Sequence, residues 1–211
     1  MRGLLLKDLY CVRSYLKQLG FMLLIMFVIG IGTESPAMTS FYAVFVGLSL
    51  LVSTLAADEK SRWEQYALTF PVFRKDIVKE KYILLIILAC FSEMAAIISG
   101  LIVSAVTDGP SPMESIVSSV VVFVIYMYAY CLYVPAIYKM GTEKARYIFI
   151  AFLMIPLIII VTLVGFFPEV FESEVADSTV LAISAAACVV AGICLYISYR
   201  VSLRIYSEKE F

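Results

Sequence analysis

Six membrane-spanning α-helices with both chain ends in the cytoplasm are what this sequence predicts, and three observations predict them. First, 63% of the 211 residues are hydrophobic and only 16% charged, far from the roughly 45–50% and 25% of soluble chains. The mean hydropathy is +0.98, and a folded domain of this size still turns much of its surface outward; the solvent around it has to be lipid. Second, the chain contains six apolar windows near the length of about 20 residues that a bilayer core of about 30 Å requires of a helix. Third, the sixteen cations fall only in alternate connections. The predicted class is therefore all-α integral membrane, with residues 1–211 forming a single transmembrane domain.

The elements follow in order. Over residues 1–18 and just beyond, Leu5, Leu9, Val12, Leu16 and Leu19 recur at spacings of four and three, with Lys7, Arg13 and Lys17 on the polar side, the pattern of an amphipathic helix that lies on the inner leaflet or extends span one into the cytosol. A basic start before an apolar run also suits a secretory signal. Here the stretch after Phe27, Val-Ile-Gly-Ile-Gly-Thr-Glu-Ser-Pro, lacks a small-x-small site, so the segment is expected to stay uncleaved. The spans are expected over Leu16–Thr33, Ala37–Ala57, Tyr82–Val106, Ser115–Tyr138, Tyr147–Phe167 and Thr179–Tyr199. Runs such as Tyr82-Ile-Leu-Leu-Ile-Ile-Leu-Ala lack the alternation of a barrel strand.

Orientation rests on charge. The amino-terminal segment holds four cations (Arg2, Lys7, Arg13, Lys17), and six (Lys60, Arg62, Arg74, Lys75, Lys79, Lys81) lie between spans two and three. Three (Lys139, Lys144, Arg146) lie between spans four and five, and three (Arg200, Arg204, Lys209) lie in the tail over 200–211. The other connections carry only acids: Glu34; Asp108 and Glu114; and Glu169, Glu172, Glu174 and Asp177. The positive-inside rule then places both termini in the cytoplasm. Sixteen cations against seventeen acids leave no bulk field for nucleic acid. The absence of histidine removes the commonest metal ligand and general base. Cys11, Cys90, Cys131, Cys188 and Cys194 show no metal-ligand spacing and are expected to be small buried hydrophobes.

Residues 58–81 form the one extended inner segment. Within it Trp63, Tyr66, Ala67 and Phe70 stand at i, i+3, i+4 and i+7, an aromatic stripe on a short helix that Pro71 is expected to stop. Such a stripe either lies in the membrane interface or enters a partner's groove. Within the spans Glu93 is the only acid, and a charge at that depth costs about 2.5–3.5 kcal/mol or more. Ala89, Ala96 and Gly100 at i−4, i+3 and i+7 suggest that it points into the bundle, as a cargo or proton contact or as a packing element. Tyr126, Tyr130 and Tyr133 share one face of span four and either line a cavity or pack on neighbours. Tyr138 is expected in the inner aromatic belt. Pro135 and Pro156 are expected to be flexible points in spans four and five. The acidic loop from Pro168 to Ser178 either caps the exit or is simply solvated. In span six Ala187, Ala191 and Gly192 allow close helix contact.

Taken together, Asp58-Glu59-Lys60, Trp63-Glu64-Gln65-Tyr66-Ala67-Leu68, Phe70-Pro71-Val72 with Arg74, and then Val78, Lys81 and Tyr82 resemble the signature of small permease subunits of the ABC-2 family of bacterial ATP-binding-cassette transporters. The six-span layout resembles theirs as well. The resemblance implies a multi-pass protein of the bacterial cell membrane, not an enzyme, whose segment 58–81 holds a coupling helix that docks on a separate ATPase. Asp58, Glu59, Trp63, Tyr66, Phe70, Pro71 and Arg74 would lie at or near that contact. It further implies ATP and magnesium on the partner ATPase with no cofactor on this chain, a second permease subunit (identical or paralogous), and export of an amphipathic cargo such as a peptide or drug-like compound. No Gly-x-x-x-x-Gly-Lys-Ser/Thr loop occurs, so ATP-driven work needs another polypeptide. Glu93, Tyr126, Tyr130 and Tyr133 are the candidate cargo path. Two other readings stand beside this one: an ion- or proton-coupled secondary transporter using Glu93, and a non-transporting membrane scaffold.

Overall fold

A long apolar segment in lipid has to satisfy every backbone amide within itself, which leaves the α-helix as its conformation. The computed structural model describes residues 2–33, 36–67, 69, 73–107, 111–166 and 177–208. They form α1 (Arg2–Thr33), α2 (Pro36–Lys60), α3 (Trp63–Ala67), α4 (Arg74–Val106), α5 (Pro112–Met140), α6 (Thr142–Phe166) and α7 (Asp177–Glu208), with no strand among the described residues. Glu34, Phe70, Pro71, Asp108, Lys209 and the acidic stretch from 168 to 176 lie outside the described residues, and so does the side chain of Pro156.

By length and composition α2 from Ala37, α4, α5 and α7 from Ile183 are each able to cross a bilayer. The two arms of α1, Gly3–Tyr15 and Gly20–Gly30, meet at 52° and together make a fifth candidate. The described chain thus supplies four to five candidate spans where the sequence predicts six. The remaining window, 147–167, falls on the 25-residue α6, whose side chains are described only in part.

α2, α4 and α5 pack against one another; α7 lies on α5 and α4, α1 on α2 and α4, and α6 mainly on α5. Because lipid offers no hydrophobic drive between helices, close packing and hydrogen bonds hold them together. Gly47 of α2 meets Ser92 of α4 so closely that a Cβ on the glycine would collide with the serine side chain. α4 shows how one periodicity serves two solvents. Leu85, Ala89, Ser92, Ala96 and Gly100 are buried, whereas Phe91, Met94, Ile98 and Ile102 face outward, as the Glu93 stripe predicts for its small residues.

Helix ends follow local chemistry. Ser111 caps α5 by accepting from the Glu114 amide at 3.1 Å while the Glu114 carboxylate accepts from the Ser111 amide at 3.4 Å, with Pro112 at the first helical position. α5 ends at Gly141, whose φ of 84° suits a residue without a side chain, and α6 begins at the next residue. α2 ends in a turn in which Ser61 donates to Ala57 O and Arg62 to Glu59 O. Arg62 sits at φ 51°, a left-handed helix stop.

Four expectations change. α3 ends at Ala67, short of Pro71: the Thr69 amide donates to Tyr66 O at 3.1 Å, an i→i−3 turn that closes the helix. In α1 the inward stripe is Leu4, Asp8 and Val12, while Leu9 is exposed; the acid displaces the expected leucine face because it has ionic partners inside. Tyr138 is buried, with its ring edge-on to Tyr206 at 5.5 Å, so α7 takes the position expected for lipid headgroups. Among the cysteines, all free, only Cys131 is buried and Cys90 is exposed; on a lipid-facing surface a thiol behaves as a small apolar group.

Candidate functional site

At one end of the bundle four charges from three helices converge. Asp58, two residues before the end of α2, accepts from Lys7 Nζ of α1 at 2.5 Å and pairs with Lys81 Nζ of α4 at 2.6 Å. Asp8 pairs with the same Lys81 and lies 3.0 Å from Lys7 Nζ. Asp8 and Lys81 are about as buried as side chains become, at 1% and 3% exposure. Burial of an ion is costly and is tolerated only with partners and good geometry. Two cations and two carboxylates alternating at contact distance meet that requirement.

Glu80 is the fifth member, also buried. Burial, and then the hydrogen bond to Asp8, push its carboxyl up to about 8, so at neutral pH it is an uncharged acid that donates to Asp8. Burial works against the Asp8 carboxylate, yet that donated bond and the Lys81 and Lys7 ammoniums hold its carboxyl below the usual range. Burial also opposes the Lys81 ammonium, and Asp58 and Asp8 more than offset it, so its affinity for the proton rises. These groups precede the apolar windows expected from Leu16 in α1 and from Tyr82 in α4.

The next residue of α2 reaches the opposite way. Glu59 Oε2 accepts from the Thr142 amide at 2.7 Å, capping α6 from another helix. A Cβ on Gly141 would stand 2.6 Å from Glu59 Oε1, so close approach as well as positive φ requires glycine at this elbow. The adjacent pair Asp58–Glu59 thereby ties α1 and α4 on one side to the α5–α6 elbow on the other. Arg74, at the start of α4, donates to Ser207 O of α7 at 2.7 Å and brings in the last helix.

α3 hangs from this junction. Lys7 Nζ lies 4.6 Å from the Trp63 ring centroid, a cation–π contact, and Trp63 and Tyr66 rings stand 5.7 Å apart. Ala67 is buried, Trp63 packs half-buried against the core, and Tyr66 is 57% exposed. A cavity of about 60 Å³ lies behind the helix, walled by Asp58, Glu59, Trp63, Lys81 and Tyr138. Of the segment's candidate residues, the structure thus brings Asp58, Glu59 and Trp63 together in the junction, turns Tyr66 outward, and uses Arg74 as a tie. Phe70 and Pro71 lie outside the described residues.

The candidate path residues stand apart from it. Glu93 faces Ser119 of α5, whose hydroxyl is already given to Ile116 O at 2.9 Å, and both carboxyl oxygens are buried without a hydrogen bond. Tyr126 packs between Phe41 and Phe45 at 5.4 and 6.3 Å. Tyr130 and Tyr133 lie on Phe149 at 5.4 and 4.8 Å and line a groove of about 410 Å³ with Phe45, Ser53, Arg146 and Met154.

Sequence reasoning missed Lys7, Asp8, Glu80, Lys81 and the Gly141–Thr142 elbow. Asp8 had a readable signal: it is the only acid in the first 33 residues, and it sits four residues from both Leu4 and Val12, on their face of the helix. A family model described as ABC-2 family transporter protein matches residues 3–207. No curated protein and no solved structure matches the chain.

Proposed function

The chain belongs to the ABC-2 family of transporter proteins, and from that premise we propose that it is the permease subunit of an exporter driven by a separate ATP-binding-cassette ATPase. Six spans with both termini in the cytoplasm fit the cation distribution, with α1's first arm lying on the inner leaflet. Two permease subunits, identical or paralogous, would work with two ATPases in the bacterial cell membrane. ATP and magnesium would be held by the partner.

The observation that carries this reading is α3. A five-residue helix is too short to be stable alone, yet this one is pinned to the common meeting point of α1, α2, α4 and the α5–α6 elbow and presents Tyr66 outward. A short aromatic helix fastened in that way acts as a handle: displacement by a closing ATPase reaches the helices without being lost in a loop. Cargo would then be exposed alternately to the two sides, with Glu93 and the groove at Tyr130 and Tyr133 along its way. The aromatic lining suits an amphipathic compound.

Co-purification tests it. The wild-type permease is expected to retain an ATPase whose hydrolysis rate changes with the permease present. Trp63→Ala combined with Tyr66→Ala is expected to lower that capture at least 10-fold while the permease remains monodisperse in detergent. An unchanged capture would reject α3 as the contact. A second reading, a proton-coupled carrier, draws on the unpartnered Glu93 carboxyl; cargo flux in ATP-free vesicles under a proton gradient would select it.

A further inference from the structure

Pro135 lies inside α5, where its missing N–H leaves the carbonyl four residues earlier, Cys131 O, without the helix bond it would otherwise accept. In lipid such a freed carbonyl needs another donor. Ser198 of α7 supplies it: its Oγ donates to Cys131 O at 2.6 Å. Ser198 Oγ also meets Tyr82 Oη of α4 at 2.7 Å, and Tyr82 Oη meets Ser202 Oγ at 2.8 Å. A hydroxyl has one proton, so the direction of the chain is settled from its end. Ser198 gives its proton to the carbonyl; Tyr82 therefore donates to Ser198, and Ser202 donates to Tyr82. All four groups are buried, and the Tyr82 ring stands edge-on to Tyr199 at 5.4 Å.

The position of Tyr82 gives this chain its meaning. It follows Lys81, whose ammonium is held by Asp58 and Asp8, and Asp58 stands five residues before Trp63. Beyond the proline break, toward the start of α5, are Tyr126, Tyr130 and Tyr133. We infer that Tyr82 and Ser198 are positioning residues that clasp α5 at its proline break and pass displacement of the α3 junction to the tyrosine-bearing part of α5. This rests on the permease reading for its purpose but not for its geometry. With Ser198 released, Cys131 O has no donor and α5 is free to bend there. With only the Tyr82 hydroxyl removed, Ser198 loses its orientation and is able to turn to its own helix backbone.

Spin labels on Met113→Cys and Met140→Cys, both exposed positions at the two ends of α5, read the bend directly by pulsed dipolar spectroscopy. The protein is studied in lipid nanodiscs, with the five native cysteines replaced by alanine and labelled chains diluted in unlabelled ones. Ser198→Ala is expected to broaden or shift the distance distribution, and Tyr82→Phe to do so less. Pro135→Ala, which restores a backbone donor to the residue-131 carbonyl, is expected to return the Ser198→Ala distribution to the narrow wild-type form. Overlapping distributions in wild type, Ser198→Ala and Tyr82→Phe would overturn the clasp, as would failure of Pro135→Ala to rescue. With the ATPase bound, ATP with vanadate is expected to shift the wild-type distance but not that of Tyr82→Phe, although Tyr82→Phe captures the ATPase equally. A full shift in Tyr82→Phe would refute transmission. A wild-type chain that captures no ATPase would instead count against the permease reading, and the ATPase-free distances would still decide the clasp.

Discussion

The charged junction and the middle of the bundle treat buried ionisable groups in opposite ways. At the junction Asp8 and Lys81 each meet two opposite charges within hydrogen-bonding reach, and Glu80 stays protonated beside them. In the middle, Glu93 has both carboxyl oxygens buried with no hydrogen bond, and its neighbour Ser119 has spent its proton on its own helix. The first arrangement fixes helices to one another, because separating the ions exposes each to an uncompensated low-dielectric site. The second adds no ionic tie, and the helices around Glu93 are held by close packing, as at Gly47 and Ser92.

The comparison breaks most decisively at Lys81. Lys81→Met removes the more buried of the two cations and leaves Asp8 and Asp58 to share Lys7 alone, which is expected to cost about 3–5 kcal/mol, read as a large fall in thermal midpoint in detergent. A loss under about 1 kcal/mol would mean that the junction contributes no tie. Smaller, and specific to Glu80, is a pH effect. The folded protein keeps this proton up to about pH 8, whereas the unfolded chain releases it near the ordinary value of 4.5. Between those limits the folded state holds more protons, so stability falls as pH rises from about 5 to about 8. Glu80→Gln is expected to flatten that slope; an unaltered slope would show that Glu80 is charged within the cluster. The smallest expected change is at Glu93. Glu93→Gln removes no ion pair and is expected to alter stability by less than about 1 kcal/mol, while lowering transport if the carboxyl contacts cargo or a proton. A large destabilisation would place a hidden partner beside it and erase the contrast.

The helices themselves were legible because a span announces itself over some 20 residues, and local errors average out. The windows at Ala37–Ala57, Tyr82–Val106 and Ser115–Tyr138 each fall inside a single observed helix. The two-faced pattern of α4 was legible too, since small residues at i−4, i+3 and i+7 from Glu93 are a one-helix signal. The candidate site was legible only as a segment. Asp58, Glu59 and Trp63 stood out as a group, but their sequence neighbours gave no hint that Asp58 and Glu59 reach to opposite sides. Their partners, Lys7 and Thr142, lie 51 and 83 residues away, beyond any periodicity. Tyr126, Tyr130 and Tyr133 share a face as their spacing predicts, yet Tyr126 is enclosed by phenylalanines while the other two border a groove. That division belongs to α2 and α6, not to α5.

By itself the sequence determined that this chain lives in lipid, that its backbone is helical, and where its cations gather, since each follows from the solvation of single residues or of one helix at a time. Which buried charges neutralise one another, which hydroxyl completes the backbone at Pro135, and which aromatic of α3 is exposed were decided only by the tertiary structure. These are pairwise properties of groups on different helices, and no single helix carries enough information to place its neighbour.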